Sequence, residues 1–291
     1  MKKLLILLLI LLFGMISCIP EDVYENDGDN HDGDEDIITP DPDKPIVFKD
    51  ANLEKCVRDK IRKSEGEIKV EDVEDVESLG CFNMGIRYVD GLERLPSVEY
   101  ISVVRNDIVD VSSLKHSKSL KRLNLTENKN LDQNSLRNLT GLEELDISSC
   151  GITSLEPLKN MKKLRTLTAT RNNIASLKDA ESLTGLTRLY ISSNKITSLE
   201  GIENLTKLER LTVNSNQLDS MEEVANLTEL TFFMIINNYL TNETLPVLLN
   251  LVNLESLSIE KNCITDLNFF KELQENNPGM DIRYGGINDG C

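Results

Sequence analysis

Hydrophobic positions recur along most of this chain at one fixed spacing. Residues 186–199 read LTRLYISSNKITSL, in which apolar side chains lie on both sides of a single asparagine, Asn194. The same frame returns 22 residues earlier, from Leu164, and 22 residues later, from Leu208. The alternation of apolar and polar residues at its start predicts a short strand with one buried face. Because one such unit cannot bury its own apolar face, the pattern predicts units that stack on one another.

The frame L-x-x-L-x-L-x-x-N at this period is typical of leucine-rich repeats. We therefore predict an α/β solenoid of about nine repeats over residues 76–266, with parallel strands on its concave face. The asparagine is expected to bond backbone groups where the chain turns away from each strand. Seven of the eight steps between repeats span 22 residues, and the last, of 24, is expected to hold a fuller helix. The repeats begin at Val76, Val98, Leu120, Leu142, Leu164, Leu186, Leu208, Leu230 and Leu254.

The first 17 residues predict an export signal. Two lysines precede an apolar run from Leu4 to Phe13, which is too short to span a bilayer comfortably. Residues 15–18, MISC, resemble a bacterial lipobox. We predict a lipoprotein signal peptide over 1–17 and an acylated Cys18 that anchors the mature chain to a membrane. The alternative is an ordinary cleaved signal in which Cys18 is incidental. No later segment predicts a transmembrane helix.

Residues 18–46 predict an acidic, disordered tether. Positions 19–45 contain eleven Asp or Glu and a single Lys, interspersed with Gly and Pro, so they cannot build a core. The Asp-Gly-Asp runs between Asp27 and Asp36 lack the frame of an EF-hand, so we predict a solvated spacer and no metal site. The formal charge of the whole chain, −17, argues against nucleic acid as a partner.

Both ends of the repeats predict caps, because an end repeat would otherwise expose its apolar core to water. In residues 47–75, Leu53, Val57 and Ile61 have the spacing of one helix face. Asp50 is placed to cap this helix and Gly66 to end it, and a short helical turn is expected to follow. Residues 267–291 predict a C-terminal cap made of a short helix, a Pro-Gly turn and a final extended segment.

The cysteines beyond Cys18 suggest one disulfide at each end of the solenoid. An exported protein permits this chemistry, so we predict the pairs Cys56–Cys81 and Cys263–Cys291. The alternative is that these four residues are buried free thiols. Cys150 occupies the asparagine place of its repeat and is expected to be a buried thiol without chemistry.

Candidate catalytic residues are few and scattered. His31 lies in the tether and His116 in a turn between repeats. No nucleophile–histidine–carboxylate set, Cys/His metal cluster or Gly-rich phosphate loop has the required spacing. Glu144 and Asp146 share a strand face and could act as a pair, but the sequence places no other catalytic group with them. We therefore predict that the protein is not an enzyme and uses no cofactor.

The variable places of the repeats predict a binding face. Places 3, 5 and 7 of the frame point away from the core, and strands about 4.8 Å apart would make nine of them a strip of roughly 40 Å. In one repeat all three places are apolar, and such residues rimmed by Arg and Tyr resemble an interface hot spot. The alternative is that the end cap or an edge distortion buries this strand. The predicted partner-binding residues are Tyr100, Arg122, Arg188, Tyr190, Arg210, Phe232, Met234 and Ile236.

A pattern F-x-D-x-x-L begins at Phe48, ahead of 22-residue repeats with N-x-I-x-x-L as in residues 194–199. This combination resembles the internalin-type leucine-rich-repeat proteins of bacterial surfaces, over about residues 48–273. The resemblance implies a curved right-handed solenoid whose concave face grips a protein partner, often a host receptor. The sorting signal and immunoglobulin-like domain of typical internalins are not found, so a lipidated Cys18 is expected to replace the wall anchor.

The sequence thus predicts a monomeric, lipid-anchored protein of the cell envelope, at the outer membrane or the cell surface. Its predicted function is to bind a protein partner through the concave face, in adhesion or host interaction. The alternative is a structural or envelope-assembly component that contacts neighbouring envelope proteins or glycans. Accessibility to protease on intact cells separates the two.

Overall fold

Ten short strands follow one another through the solenoid. The computed structural model describes residues 43–286 and Cys291. In this part of the chain, each strand pairs in parallel with the strands before and after it in sequence. The predicted α/β solenoid with parallel strands on its concave face is confirmed. The strands are β1 (Ser78–Gly80), β2 (Tyr100–Ser102), β3 (Arg122–Asn124), β4 (Glu144–Asp146), β5 (Thr166–Thr168), β6 (Arg188–Tyr190), β7 (Arg210–Thr212), β8 (Phe232–Met234), β9 (Ser256–Ser258) and β10 (Asp281–Arg283).

The centre of each strand is place 4 of the repeat, and its side chain enters the core. Leu167, Leu189 and Leu211 are partners in register across β5, β6 and β7, and each is 0% exposed. One apolar core runs without a break from Ile46 to Met280. Full burial of a leucine contributes roughly 1.5–3 kcal/mol. Since these leucines pack mainly on their counterparts in neighbouring repeats, the fold is stabilised by stacking.

Short 3₁₀ helices lie in the segments that connect most of the strands. The nine-residue helix in the 24-residue step is the longest of them, which confirms the fuller helix expected there. They span Leu92–Arg94, Ser112–His116, Gln133–Leu136, Glu156–Leu158, Lys178–Ser182, Glu222–Asn226 and Asn242–Asn250.

A buried asparagine joins most of the repeats to the one before. Asn194 donates from Nδ2 to the carbonyls of Ala169 and Ile191, both at 3.0 Å. Its Oδ1 accepts from the backbone N–H of Ile174, also at 3.0 Å. The side chain therefore bonds three backbone groups, as the sequence predicted. It supplies the acceptor for the buried Ile174 N–H, whereas the two carbonyls also accept from Asn172 and Asn216. Equivalent bonds are made by Asn106, Asn128, Asn172, Asn216, Asn238 and Asn262.

The residue just before the asparagine place is left-handed in every repeat, with φ between +52° and +62°. None of these nine residues is a glycine, although this conformation costs an ordinary residue about 1–2 kcal/mol. The turn from strand to connection requires it, and the asparagine bonds hold the turn in place. The residues are Asn83, Arg105, Glu127, Ser149, Arg171, Ser193, Ser215, Asn237 and Lys261.

The N-terminal cap is built on helix α1 (Ala51–Ile61), followed by the single turn α2 (Val70–Val73). Asp50 caps α1 as predicted, since its Oδ1 accepts from the backbone N–H groups of the second and third residues of the helix at 2.9 and 3.2 Å. The prediction that Gly66 ends the helix is wrong. Arg62 adopts the left-handed conformation instead (φ 57°), and its N–H bonds the carbonyl of Arg58.

The C-terminal cap adds a strand to the sheet. Helix α3 (Asn268–Asn276) buries Phe270 completely, and the Phe270 ring stacks on Tyr284 with centroids 4.6 Å apart. The final extended segment then pairs with β9 as strand β10. Nine repeats thus give a sheet of ten strands, one more than the sequence predicted, because the cap continues the ladder of the last repeat.

A disulfide lies at each end of the solenoid. Cys56 of α1 is bonded to Cys81, just after β1, with Cα atoms 5.9 Å apart. Cys263, just after the last ladder asparagine, is bonded to Cys291, with Cα atoms 5.4 Å apart. Cys150 is a buried free thiol at the asparagine place of its repeat, where its Sγ donates to the carbonyl of Leu125 at 3.0 Å. The Cys150 thiol therefore donates a hydrogen bond where the asparagine amide donates one in the other repeats.

Candidate functional site

The concave face consists of the side chains at places 3, 5 and 7 of the repeats. Places 3 and 5 are the first and last residues of each strand, and they point away from the core because side chains alternate along a strand. Equivalent places lie side by side, as Arg188, Arg210 and Phe232 do across β6, β7 and β8. The ladder therefore converts the variable places of the sequence into a continuous surface.

Six of the eight predicted partner-binding residues lie together, five of them on the consecutive strands β6, β7 and β8 and Ile236 just after β8. Phe232, Met234 and Ile236 are half-buried, and Ile236 donates its backbone N–H to Oδ1 of Asn214 at 2.8 Å. They are thus neither core residues nor fully exposed. Tyr190 is also half-buried. We call this group the C-terminal patch, and its members are Arg188, Tyr190, Arg210, Phe232, Met234 and Ile236.

The two arginines of the C-terminal patch are exposed, and Arg210 packs on an aromatic ring. Cζ of Arg210 lies 5.1 Å from the centroid of the Phe232 ring, which is a cation–π contact. Within residues 43–286 and 291, no carboxylate lies within ion-pair distance of Arg188 or Arg210. Both guanidinium groups therefore keep hydrogen-bond donors available at the surface.

Tyr100 and Arg122 form a second, separate group on β2 and β3. Cζ of Arg122 lies 4.7 Å from the Tyr100 ring centroid. A shallow depression of about 180 Å³ lies beside them and is also lined by Glu144 and Asp146. Six strand spacings of about 4.8 Å separate β2 from β8, or roughly 29 Å. The structure therefore does not bring these two residues to the C-terminal patch.

The side chains that could take part in catalysis have structural roles or lie far from one another. Asp146 accepts from the backbone N–H of Ser148 at 2.9 Å, which orients its carboxylate along its own strand. His116 lies in a 3₁₀ helix between repeats. Burial raises the pKa of the Cys150 thiol to about 11, so it is neutral at physiological pH. In the described part of the chain, no three His, Cys, Asp or Glu side chains cluster closely enough to hold a metal ion.

Two exposed apolar residues escaped the sequence-based prediction. Phe82, at place 7 of the first repeat, is 59% exposed, and Cζ of Arg105 lies 5.6 Å from its ring centroid. The place-7 pattern already contained this residue, so it could have been identified. Val252 is 72% exposed and lies two residues before the first leucine of its repeat, outside the three variable places from which the binding face was predicted. Only the structure shows that it borders the concave face near Phe232.

The predicted membrane anchor cannot be placed on this surface. Cys18, the signal peptide and almost all of the tether lie outside the described residues. Among the helices that the structure does describe, none has the length and apolar character needed to cross a bilayer.

Comparisons with known proteins agree with the repeat and the sheet. Residues 140–183 and 184–226 each match the leucine-rich-repeat family in its two-copy form. Internalin C2 from Listeria monocytogenes has a similar structure, with 26% identity, a TM-score of 0.69, and coverage of 74% of this chain and 96% of that one.

Two further Listeria monocytogenes structures share 23% identity and cover 82% of this chain. They are the internalin InlF, with a TM-score of 0.42 and 97% of its chain covered, and the functional domain of InlJ, with 0.48 and 60%. No curated protein sequence matches significantly. The two repeat matches span strands β4 to β7 of the concave face. The chain is an internalin-like leucine-rich-repeat protein.

Proposed function

We propose that this protein binds a protein partner through the C-terminal patch of its concave face. The observation that carries the proposal is the apolar outer side of β8, formed by Phe232 and Met234, next to two arginines without ion-pair partners in the described chain. Aromatic residues and arginines rimming a half-buried apolar centre are the composition of interface hot spots. The likeness to internalin C2 supports a scaffold that presents its concave face.

We further propose that an acylated Cys18 holds the protein at the outer membrane or cell surface, where the tether extends a monomeric solenoid towards its partner. The lipobox-like residues 15–18 and the acidic composition of residues 18–46 support this arrangement. Replacing Cys18 by Ala should abolish labelling by a radioactive fatty acid and move the protein from the membrane to the soluble fraction. A Cys18→Ala protein that stays in the membrane fraction would contradict the anchor.

The binding experiment uses a fragment from Pro40 to Cys291, since these residues form one compact unit. This start keeps Lys44 and Pro45, whose carbonyls accept from Arg94 at 3.0 and 2.6 Å. The immobilised fragment is compared with a Phe232→Ser/Met234→Ser variant in pull-downs from envelope and host-cell extracts. A partner retained by the unchanged fragment and lost by the variant is the expected result.

The matched control is a Thr166→Ala/Thr170→Ala variant, which alters the polar middle of the same face. It should retain the partner. If the Phe232→Ser/Met234→Ser variant loses stability but keeps the partner, these residues are structural and the proposal fails. Protease treatment of intact cells then decides location: a protected protein belongs to an envelope assembly rather than to an adhesive surface.

A further inference from the structure

An open groove of about 940 Å³ borders the concave face where strands β7, β8 and β9 begin. One side is formed by Arg210 and Phe232, and the other by Met280 and the turn that precedes β10. Val252 and Glu255 lie at the start of the β9 repeat between them. The groove therefore continues the C-terminal patch around the edge of the sheet.

The exposed apolar side chain of Val252 in the groove is not required by the repeat. Val252 lies two residues before the first leucine of its repeat, and it is 72% exposed. The equivalent place in the eight other repeats is charged, threonine or proline. The other repeats fold without an apolar side chain at this place, so the fold does not require one at Val252. The equivalent residues are Glu74, Pro96, Lys118, Thr140, Lys162, Thr184, Thr206 and Thr228.

The groove also has a fixed cation at its mouth. The cation–π contact with Phe232 places the Arg210 guanidinium over the apolar wall. Arg188 is the register neighbour of Arg210 and adds a second positive charge. A guanidinium positioned in this way pairs well with a carboxylate, because its donors match the two carboxylate oxygens. Glu255 is the one carboxylate among the groove-lining residues, and it lies two strands away from Arg210.

We propose that this groove binds a segment of the partner protein in which a bulky apolar side chain is adjacent to a carboxylate. The apolar side chain packs against Phe232 and Val252, and the carboxylate pairs with Arg210. The inference rests on the proposed function, in that the partner is a protein, and it adds the chemistry of the segment that this end of the face recognises.

The test is an NMR titration of the isotope-labelled Pro40–Cys291 fragment with four capped hexapeptides. The peptides differ only at two central positions, which are Leu-Glu, Leu-Gln, Ala-Glu and Leu-Lys. The Leu-Glu peptide should shift the amide signals of the groove. The Leu-Gln and Ala-Glu peptides should bind about ten-fold more weakly, since each loses either a charge-assisted bond or an apolar contact. The Leu-Lys peptide should bind more weakly still.

Variants assign the recognition to particular residues. Arg210→Met removes the charge but keeps an apolar stem, so it should lower the affinity for Leu-Glu to that for Leu-Gln. Val252→Thr, which installs the residue of neighbouring repeats, should weaken every Leu peptide. Glu222→Gln is the matched control, since Glu222 is exposed in the helix Glu222–Asn226 and does not line the groove, and it should leave the Leu-Glu affinity unchanged.

Equal binding of the Leu-Glu and Leu-Gln peptides, shifts outside the groove, or no binding at all would overturn the proposal. Sedimentation that shows a dimer lost in Val252→Thr would also overturn it, because the groove would then be an interface between two copies. These outcomes are distinct from failure of the proposed function. If the proposed function fails, the Phe232→Ser/Met234→Ser variant captures the partner as well as the unchanged fragment does, whatever the result of the peptide titration.

Discussion

The carboxylate of Asp50 bonds the backbone N–H of Arg87 at 2.7 Å and thereby joins the N-terminal cap to the first repeat. The same carboxylate caps helix α1 through its other oxygen. One side chain thus starts the helix and holds it against the solenoid. The pattern F-x-D-x-x-L places this aspartate, but only the fold shows its second partner.

Replacing Asp50 by Ala should lower the free energy of unfolding by about 2–3 kcal/mol, because both the helix cap and the bond to the first repeat are lost. Thermal and urea denaturation measure the change. Asp59→Ala is the matched control, since Asp59 is on the exposed side of the same helix with an ion pair at 3.6 Å. It should change stability by less than about 0.5 kcal/mol. Similar losses in the two variants would contradict the bridging role.

Asn194→Ala should destabilise the solenoid by about 1–3 kcal/mol, since it leaves the buried N–H of Ile174 without a partner and removes one of the two amide bonds to the carbonyls of Ala169 and Ile191. The neighbouring Lys195 is exposed, so Lys195→Ala should have little effect. Hydrogen exchange should show the loss concentrated in the repeats of β5 and β6. Uniform exchange across all repeats would instead indicate that the ladder is not locally coupled.

Gly201→Ala should be strongly destabilising, by more than about 2 kcal/mol. Gly201 has φ +107°, and a Cβ there would lie 2.2 Å from the carbonyl oxygen of Leu177. The contact is with backbone, which cannot move without displacing the preceding repeat. Gly80→Ala provides the comparison, because a Cβ at Gly80 would meet nothing within 4 Å. Chemical denaturation should separate the two clearly, and equal stabilities would show that the backbone relaxes.

The four end cysteines should be oxidised and Cys150 reduced. Alkylation of the denatured Pro40–Cys291 fragment without reductant should add one label, and five after reduction, as read by mass spectrometry. In the native protein Cys150 should resist alkylation at pH 8, since burial raises its pKa to about 11. Removing either disulfide should cost about 2–4 kcal/mol, given loops of 25 and 28 residues. Five labels without reductant would contradict the pairing.

Acid should weaken the N-terminal cap through Asp72. Its carboxylate accepts from Lys63 Nζ at 2.7 Å and from the Lys69 N–H at 2.8 Å, and these bonds lower its pKa. A lowered pKa stabilises the folded state at neutral pH, and this contribution disappears as the pH falls below about 4. Asp72→Asn should therefore be less stable at pH 7, by less than about 1 kcal/mol because the pair is partly exposed, and should equal the unchanged protein near pH 2. A difference that persists in acid would rule out the charge as its cause.

The repeat frame was readable from sequence because its physical demands are local. Each strand needs a leucine at its centre, and each turn needs an amide that can both donate and accept. The positions of Leu189 and Asn194 can therefore be predicted from the spacing alone. The left-handed conformation of Ser193 could not be predicted from the sequence, because no glycine marks it. The hydrogen bonds of the surrounding repeats offset its energetic cost.

The site was predictable only in part for the same reason. Because side chains alternate along a strand, the sequence placed Phe232 and Met234 on the outer face. The 22-residue repeat placed Arg210 beside them. The groove did not follow from either rule, since Val252 and Met280 meet Phe232 only after the 24-residue step and the C-terminal cap have been laid down. The residues that lie next to Val252 and Met280 depend on an irregular turn, whose geometry does not follow from the repeat.

By itself, the sequence determined the solenoid, the capping helix and which side chains leave the core, because these follow from spacing between residues close in the chain. Only the tertiary structure decided that the cap supplies a tenth strand and that Arg210 lies over the Phe232 ring. Those relationships depend on how the last turn and the side chains pack, which no local pattern contains.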